Sequence, residues 1–392
     1  MFLTTTVERN SALVRYAIEL HQSGLIMPDT YVIDLDTVKR NARMMLDEAN
    51  RQGVKLLFMT KQFGRNPIVA NALLELGYEG AVAVDFREAE TLHQAGIPIA
   101  HVGHLVQTPT RMVGKVAMMN PDVMTVYSVD KAREIDEACR KLRRKQALLL
   151  RVVDDQDMLY PGQHGGIPLR ELAATLKQLL RLQHVEVAGF TSFPCFLYDP
   201  EAGDIAPTPN VETMRKAKRI AEEQFGLRIT HMNMPSATCI HSLNMIKALG
   251  GTHGEPGHGL LGSTPMHADR ELAELPAMLY VSEVSHHWGD KSYCYGGGYY
   301  QRSAIEHALV ADSDGERMCA LQPPSPHAID YYFELDGKQR IGSTVVMAFR
   351  TQIFVTRSQV AVVEGLSASR PRLIGVHDSG GKPIQYPTYT KE

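Results

Sequence analysis

The sequence predicts an α/β chain, an eight-fold strand–helix barrel followed by a mostly antiparallel β domain. Three observations carry that prediction. From residue 30 to about 265, short apolar runs alternate with helical patterns and Gly or Pro breakers. The runs are apolar on both faces, as buried parallel strands require. After Pro276 the helical period disappears, and segments rich in β-formers are separated by Gly, Pro and Asp.

Eight runs supply the barrel strands, at residues 31–34, 56–60, 81–84, 99–102, 123–127, 148–153, 185–191 and 229–234. Helical stretches fill the gaps. Residues 36–52 place Val38, Ala42, Met45 and Ala49 on one stripe. Residues 66–76 open on Asn66 and Pro67, a cap and a first-turn residue, and end before Gly77. Residues 87–95 stop at Gly96, residues 168–182 form a longer helix, and Gly226 stops 211–225. Eight such units suggest closure into a (β/α)8 barrel. A doubly wound open sheet is the alternative, and the missing GxGxxG after the first strand counts against a dinucleotide fold. Residues 278–284, 329–335 and 344–363 are the clearest β segments of the second domain. An amphipathic helix near 7–23 stands outside the rhythm and packs on the barrel or the β domain. The expected division is therefore 1–28, 29–272 and 273–392.

Composition narrows the function. With 44% hydrophobic and 22% charged residues the chain reads as globular, and a net charge of -3 argues against nucleic acid. The run RKLRRK at 140–145 is a solvated helix end. Five cysteines without a CxxC fit reduced thiols in the cytoplasm. The N-terminus carries no signal-like apolar region, and no apolar run reaches the roughly 18–20 residues that span a bilayer.

In such a barrel, chemistry sits where strands end. The first polar residues after the expected strands are Asp36, Lys61, Asp85, His104, Ser128, Asp154, Ser192, Ser236 and Glu255. Lys61 directly ends an apolar strand and precedes a capped helix. Partial desolvation there lowers a lysine pKa and suits imine formation with a carbonyl. Ser236 is expected at the start of a helix, where backbone N–H groups favour an anion.

The segments TYVIDLDTVKRNA (30–42), LLFMTK (56–61) and GAVAVDFREAETLHQAGI (80–97) resemble, in order and spacing, the alanine-racemase-like fold-type III enzymes that use pyridoxal phosphate (PLP). The resemblance implies a PLP-binding (β/α)8 TIM barrel like the alanine racemase N-terminal domain, with the cofactor as a Schiff base on Lys61. MPSAT (234–238) resembles the family's Asn-Ser-Ala stretch, which makes Ser236 a phosphate contact, with Pro235 in place of the family's asparagine. The loop from His253 to Pro265 resembles the last barrel turn, with Gly257 and the His258 backbone near the phosphate. Glu255 falls at the pyridine-nitrogen position, where the racemases carry arginine and the decarboxylases glutamate.

The implied activity is chemistry at Cα of an amino acid through an external aldimine. A racemase or epimerase comes first, then a decarboxylase, then a metal-assisted D-amino-acid aldolase or dehydratase. A PLP-binding regulator is the non-enzyme alternative. The resemblance also implies a homodimer in which the partner's β domain completes the active site. Tyr295, in Tyr293–Tyr300 (YCYGGGYY), is the candidate acid/base there, with Cys319 behind it. A plain glycine-rich turn explains the same loop equally well. His327 and Asp330 distantly resemble a metal-binding segment, but residues three apart on a strand face opposite ways, so no metal is expected. His286, His287 and Trp288 read as strand-end packing.

Overall fold

The structure is a computed structural model and describes residues 2–385. The chain divides into two compact units. The first holds residues 43–60 and 73–257, and the second holds the described residues of 1–42, 61–72 and 258–392.

The first unit is the barrel. Its strands are Lys55–Leu56, Phe58–Met59, Ala81–Ala83, Ile99–Val102, Val123–Val126, Gln146–Val153, Val185–Thr191, His231–Asn233 and His253–Gly254. Neighbours pair in parallel throughout. The path starts at Lys55–Leu56 and ends at Phe58–Met59, two stretches parted only by Leu57. On one side of this segment, Leu57 N–H donates to the Gly254 carbonyl (3.0 Å) and Met59 N–H to Pro256 (2.8 Å). On the other side, Phe58 N–H donates to Gly80 (3.1 Å). One segment thus joins both ends of the sheet, and eight chain segments close the ring. Glycine is required at 189, where a Cβ would lie 1.7 Å from the His231 carbonyl oxygen.

The helices between these strands start and stop as their sequences dictate. Asp85 accepts Glu88 N–H (2.8 Å) and Ser128 accepts Lys131 N–H (3.2 Å), so both are N-caps rather than site residues. Gly226 ends Pro209–Phe225 with φ 62°.

The second unit is built on one nine-stranded sheet. Its order is Lys291–Tyr295, Tyr332–Leu335, Gly315–Gln322, His307–Asp312, Thr344–Met347, Met278–Trp288, Thr30–Asp34, Gln359–Glu364, Arg372–His377. The N-terminal residues form two helices, Phe2–Arg9 and Ser11–Gln22. Asn10 separates them, accepting Leu13 N–H (3.2 Å) and donating to Asp34 (3.0 Å) and the Pro276 carbonyl (2.9 Å). Leu13, Val14, Ala17 and Leu20 pack with Val32, Leu279, Val281, Val346 and Ala361 on one face of that sheet.

Two expectations are corrected here. The run at 31–34 is not the first barrel strand. Thr30–Asp34 pairs antiparallel with residues 278–281 and parallel with 359–363. His253–Gly254 takes the eighth place in the barrel. A short β-branched run buried on both faces carries the same pattern in either sheet, so the pattern names a strand but not its neighbours. The expected β segment at 344–363 is interrupted by a 3-10 turn at Ile353–Val355.

Candidate active site

The barrel interior holds a buried polar cluster drawn from four strands and from Glu255, which directly follows a fifth. His101, from Ile99–Val102, is fully buried. Its Nδ1 lies 2.7 Å from Glu255 Oε1 and its Nε2 2.6 Å from Thr125 Oγ1. Asn233 Nδ2 donates to the same Glu255 Oε1 (2.8 Å) and to Thr191 Oγ1 (3.1 Å). Ile99–Val102 and His253–Gly254 are not neighbours in the sheet, so the His101–Glu255 bond spans the interior. The Glu255 N–H donates to Thr238 Oγ1 (3.2 Å).

Electrostatics fix the charge of Glu255. Burial alone would raise its pKa. The neighbouring His104 and His101 charges, with hydrogen bonds from His101 and Asn233, outweigh burial and hold it down at about 2. His104 Nε2 lies 3.9 Å from Oε2 and its Nδ1 3.4 Å from Thr191 Oγ1. Oε1 therefore has two hydrogen-bond partners, while Oε2 is buried and has no hydrogen-bond partner among the described residues.

Arg151 lies beside this cluster in the strand register, opposite Thr191. It is fully buried, donating to Tyr127 Oη (2.6 Å) and the Gln163 carbonyl (2.8 Å). Tyr127 Oη in turn donates to the His104 carbonyl (2.7 Å). Burial raises the Tyr127 pKa above its ordinary value, although Arg151 draws it down. At the opposite ends of their strands, His231 and His253 stack with ring centroids 3.5 Å apart. Burial, and the positive charges nearby, lower their pKa values to about 2 and about 3.

Ser236 is half-buried and lies in a bend, not at a helix start, because the next helix begins at Ile240. Ser236 (φ 90°) and Ala237 (φ 49°) are both left-handed. Such backbone costs on the order of 1 kcal/mol per residue and clusters at functional sites. Successive backbone N–H groups in a turn make an anion-binding concavity, and 236–237 lie in a bend. Close by, a Cβ on Gly254 would lie 3.0 Å from Thr238.

In the second unit, Lys61 is half-buried and opens the 3-10 turn Lys61–Phe63, directly after the barrel segment that ends at Thr60. The Gln62 carbonyl accepts Thr351 Oγ1 (3.4 Å). A Cβ at Gly64 would meet Ile353 and Val360 at 2.9 Å, so glycine allows this turn to pack against 353–360. The His258 ring contacts Ser263 through Nδ1 (3.1 Å), and Nε2 accepts from Arg350 (3.3 Å) and Gln352 (3.4 Å). Burial, with Arg350 and Lys61 close by, pushes the His258 pKa well below its ordinary value, so the ring is neutral.

Tyr295 ends the strand Lys291–Tyr295 and is 38% exposed. It lines a cavity of about 310 Å³ with Asp29, Gly296, Tyr331, Tyr332 and Arg357. Asp29 accepts from Tyr280 (2.9 Å) and from Ser358, and burial raises its pKa to about 6. Cys319, expected behind Tyr295, is buried in another strand, Gly315–Gln322, where its thiol donates to the Asp336 carbonyl (3.0 Å). Burial raises its pKa, which disfavours the thiolate form. His327 is exposed, and Asp330 accepts Tyr299 N–H (2.8 Å). Among the described residues, no three His, Cys, Asp or Glu side chains are grouped to hold a metal. Trp288, expected to pack at a strand end, is 77% exposed, because it sits at the tip of the turn before Lys291.

End-of-strand reasoning singled out Lys61, Ser236 and Glu255 as candidates and passed over His101, Thr125, Arg151, Thr191 and Asn233. These sit within strands. A polar residue inside an otherwise apolar strand was the available signal.

The alanine racemase N-terminal domain model matches residues 33–265, and the C-terminal domain model called YhfX-like matches 279–373. The chain is 43% identical over 387 residues to the uncharacterized protein YhfX of Escherichia coli (strain K12), covering 98% of this chain and 100% of that one. Solved structures share the fold at low identity. D-threonine aldolase from Filomicrobium marinum superposes with TM-score 0.65 at 16% identity, over 90% of this chain and 95% of that one. Alanine racemase of Clostridium difficile 630 gives 0.62 at 15%, over 90% and 99%. D-threo-3-hydroxyaspartate dehydratase from Delftia sp. HT23 gives 0.64 at 17%, over 89% and 97%. Taken with the closed parallel barrel and the largely antiparallel sheet of the second unit, these matches show that the chain belongs to the alanine racemase N-terminal domain family, in the branch that carries a YhfX-like C-terminal domain.

Proposed function

We propose that this chain is a PLP-dependent enzyme acting at Cα of an amino acid, most simply an amino-acid racemase or epimerase. One observation carries the cofactor assignment. Glu255 is ionised and buried in the barrel, and its Oε2 has no hydrogen-bond partner among the described residues. A buried carboxylate oxygen left unsatisfied is costly, and a protonated pyridine nitrogen is the donor it lacks. The residues present therefore fit the cofactor.

Lys61 Nζ is the nucleophile that would tether the cofactor's aldehyde, and once released it would move a proton to or from Cα. Glu255 Oε2 would hold the proton of the ring nitrogen. Ser236, the left-handed backbone at 236–237, and the main chain at Gly257 and His258 would take the phosphate. When bound, PLP supplies an electron sink for the bond broken at Cα. Tyr295, half-exposed beside a cavity, would serve the barrel of a second copy and exchange a proton on the face opposite Lys61. Two proton carriers on opposite faces invert the centre.

Decarboxylation is the second reading, and the charge on Glu255 favours it, because a protonated ring is the stronger sink. The test starts with the visible spectrum of purified protein, then borohydride reduction and peptide mapping. The expected result is a cofactor band, a pyridoxyl label on Lys61, and Cα-proton exchange with inversion for some amino acid. Lys61→Ala should lose the label and slow exchange by about 10²–10⁴-fold. Amine and CO₂ would select the decarboxylase, and chelator-sensitive cleavage an aldolase or dehydratase. A band without exchange would select the binding protein. No band after adding PLP, or a label elsewhere, overturns the assignment of Lys61.

A further inference from the structure

We propose that His101 is a positioning residue that keeps Glu255 ionised with Oε2 as its one open acceptor, and so holds a bound cofactor ring protonated. This rests on reading Glu255 as the ring-nitrogen partner.

The geometry supplies the reason. Glu255 Oε1 is engaged by two donors, His101 Nδ1 at 2.7 Å and Asn233 Nδ2 at 2.8 Å. An oxygen that accepts two N–H groups has no room for its own proton. A proton on Oε2 would be buried with no acceptor among the described residues, since His104 Nε2 is the near group at 3.9 Å. Both protonated forms of Glu255 are thus disfavoured, and the ionised form waits for a donor.

His101 is held from behind by Thr125 Oγ1 at 2.6 Å, and Asn233 by Thr191 Oγ1 at 3.1 Å. The imidazole reaches across the barrel and ties its strand to the Glu255 segment. A second donor shell of this kind fixes the orientation of the group that touches the ligand. Asn233 alone leaves one donor on Oε1, and the carboxyl can then turn or take a proton.

The test compares two cofactors on apo-protein by equilibrium titration. One is PLP, and the other is its analogue with carbon in place of the ring nitrogen. Wild type should prefer PLP by about 10–100-fold, the worth of one hydrogen bond to a charged group. His101→Leu should bring that ratio close to one, while His101→Gln, which keeps an N–H donor, should retain most of it. A purely structural role weakens both ligands equally and leaves the ratio unchanged, and that result would falsify the proposal. Thr125→Val carries the same test if His101→Leu does not fold, with a ratio lowered about threefold expected and an unchanged ratio counting against it. If wild type binds both cofactors equally, the reading of Glu255 fails instead, which separates the two failures.

Discussion

Glu255 and Tyr295 carry the two ends of the proposed chemistry, and their surroundings differ in kind. Glu255 sits among His101, Asn233, Thr125 and Thr191, all buried, at hydrogen-bond distances of 2.6–3.1 Å. Tyr295 is 38% exposed beside an open cavity, and the ring of Tyr332 lies 6.0 Å away. A dry cluster is rigid and sets charge, because low dielectric magnifies every hydrogen bond in it. An exposed tyrosine sets nothing until something covers it. On the proposed reading, the barrel holds the pre-ordered group and the tyrosine loop the exposed one.

The contrast can be broken most directly at Glu255. Glu255→Leu leaves His101 and Asn233 without their acceptor and should cost about 3 kcal/mol of stability in urea unfolding. Glu255→Gln keeps an acceptor for both donors and should cost about 1 kcal/mol. Equal, small losses in the two variants would show that the cluster is not tightly coupled.

Tyr295→Phe should behave oppositely. It deletes an exposed hydroxyl, so stability should stay within about 0.5 kcal/mol of wild type. Turnover should fall by about 10²-fold or more, with cofactor binding unchanged. Full turnover in the Tyr295→Phe variant would mean that the loop is the plain aromatic turn its sequence equally allows.

Acid sharpens the comparison with a smaller effect. The His231 and His253 values, about 2 and about 3, lie below the ordinary 6.5. Between those limits the unfolded chain binds more protons than the folded one, so stability falls as pH drops from about 6.5 towards 3. Between pH 7.5 and 6.0 wild type should lose on the order of 1–2 kcal/mol through this stack. The neutral His258 ring pulls in the same direction, so a variant isolates the stack. His231→Phe keeps the stacked ring and should flatten the loss, as measured by melting temperature at the two pH values. An unchanged slope would show that these rings are not the acid-sensitive pair.

Much of the fold was readable because it repeats. Seven of the runs read as barrel strands are barrel strands, since a parallel strand covered on both faces is apolar along its length. The eighth reading failed at 31–34, where the same pattern serves the other sheet, while the true eighth strand, His253–Gly254, is only two residues long and too polar to signal itself. Lys61, Ser236 and Glu255 could be named as candidates from their places after strands and from the motifs that resemble the family's. Their partners were not. His101 and Glu255 are 154 residues apart, and a polar residue within the apolar run 99–102 does not say which side chain it will meet.

The sequence by itself therefore determined the strand–helix rhythm, the switch to β structure after Pro276, the helix caps and the candidate anchor, because these depend on neighbours within a few residues. Tertiary structure alone decided which sheet received Thr30–Asp34, that the Cys319 thiol is buried against the Asp336 carbonyl, and that His101 and Asn233 share one oxygen of Glu255 while the other has no hydrogen-bond partner among the described residues. Those facts depend on side chains brought together by closing the barrel and pairing the sheets, and a protonation state is set by that assembled, dry surrounding rather than by the residue type.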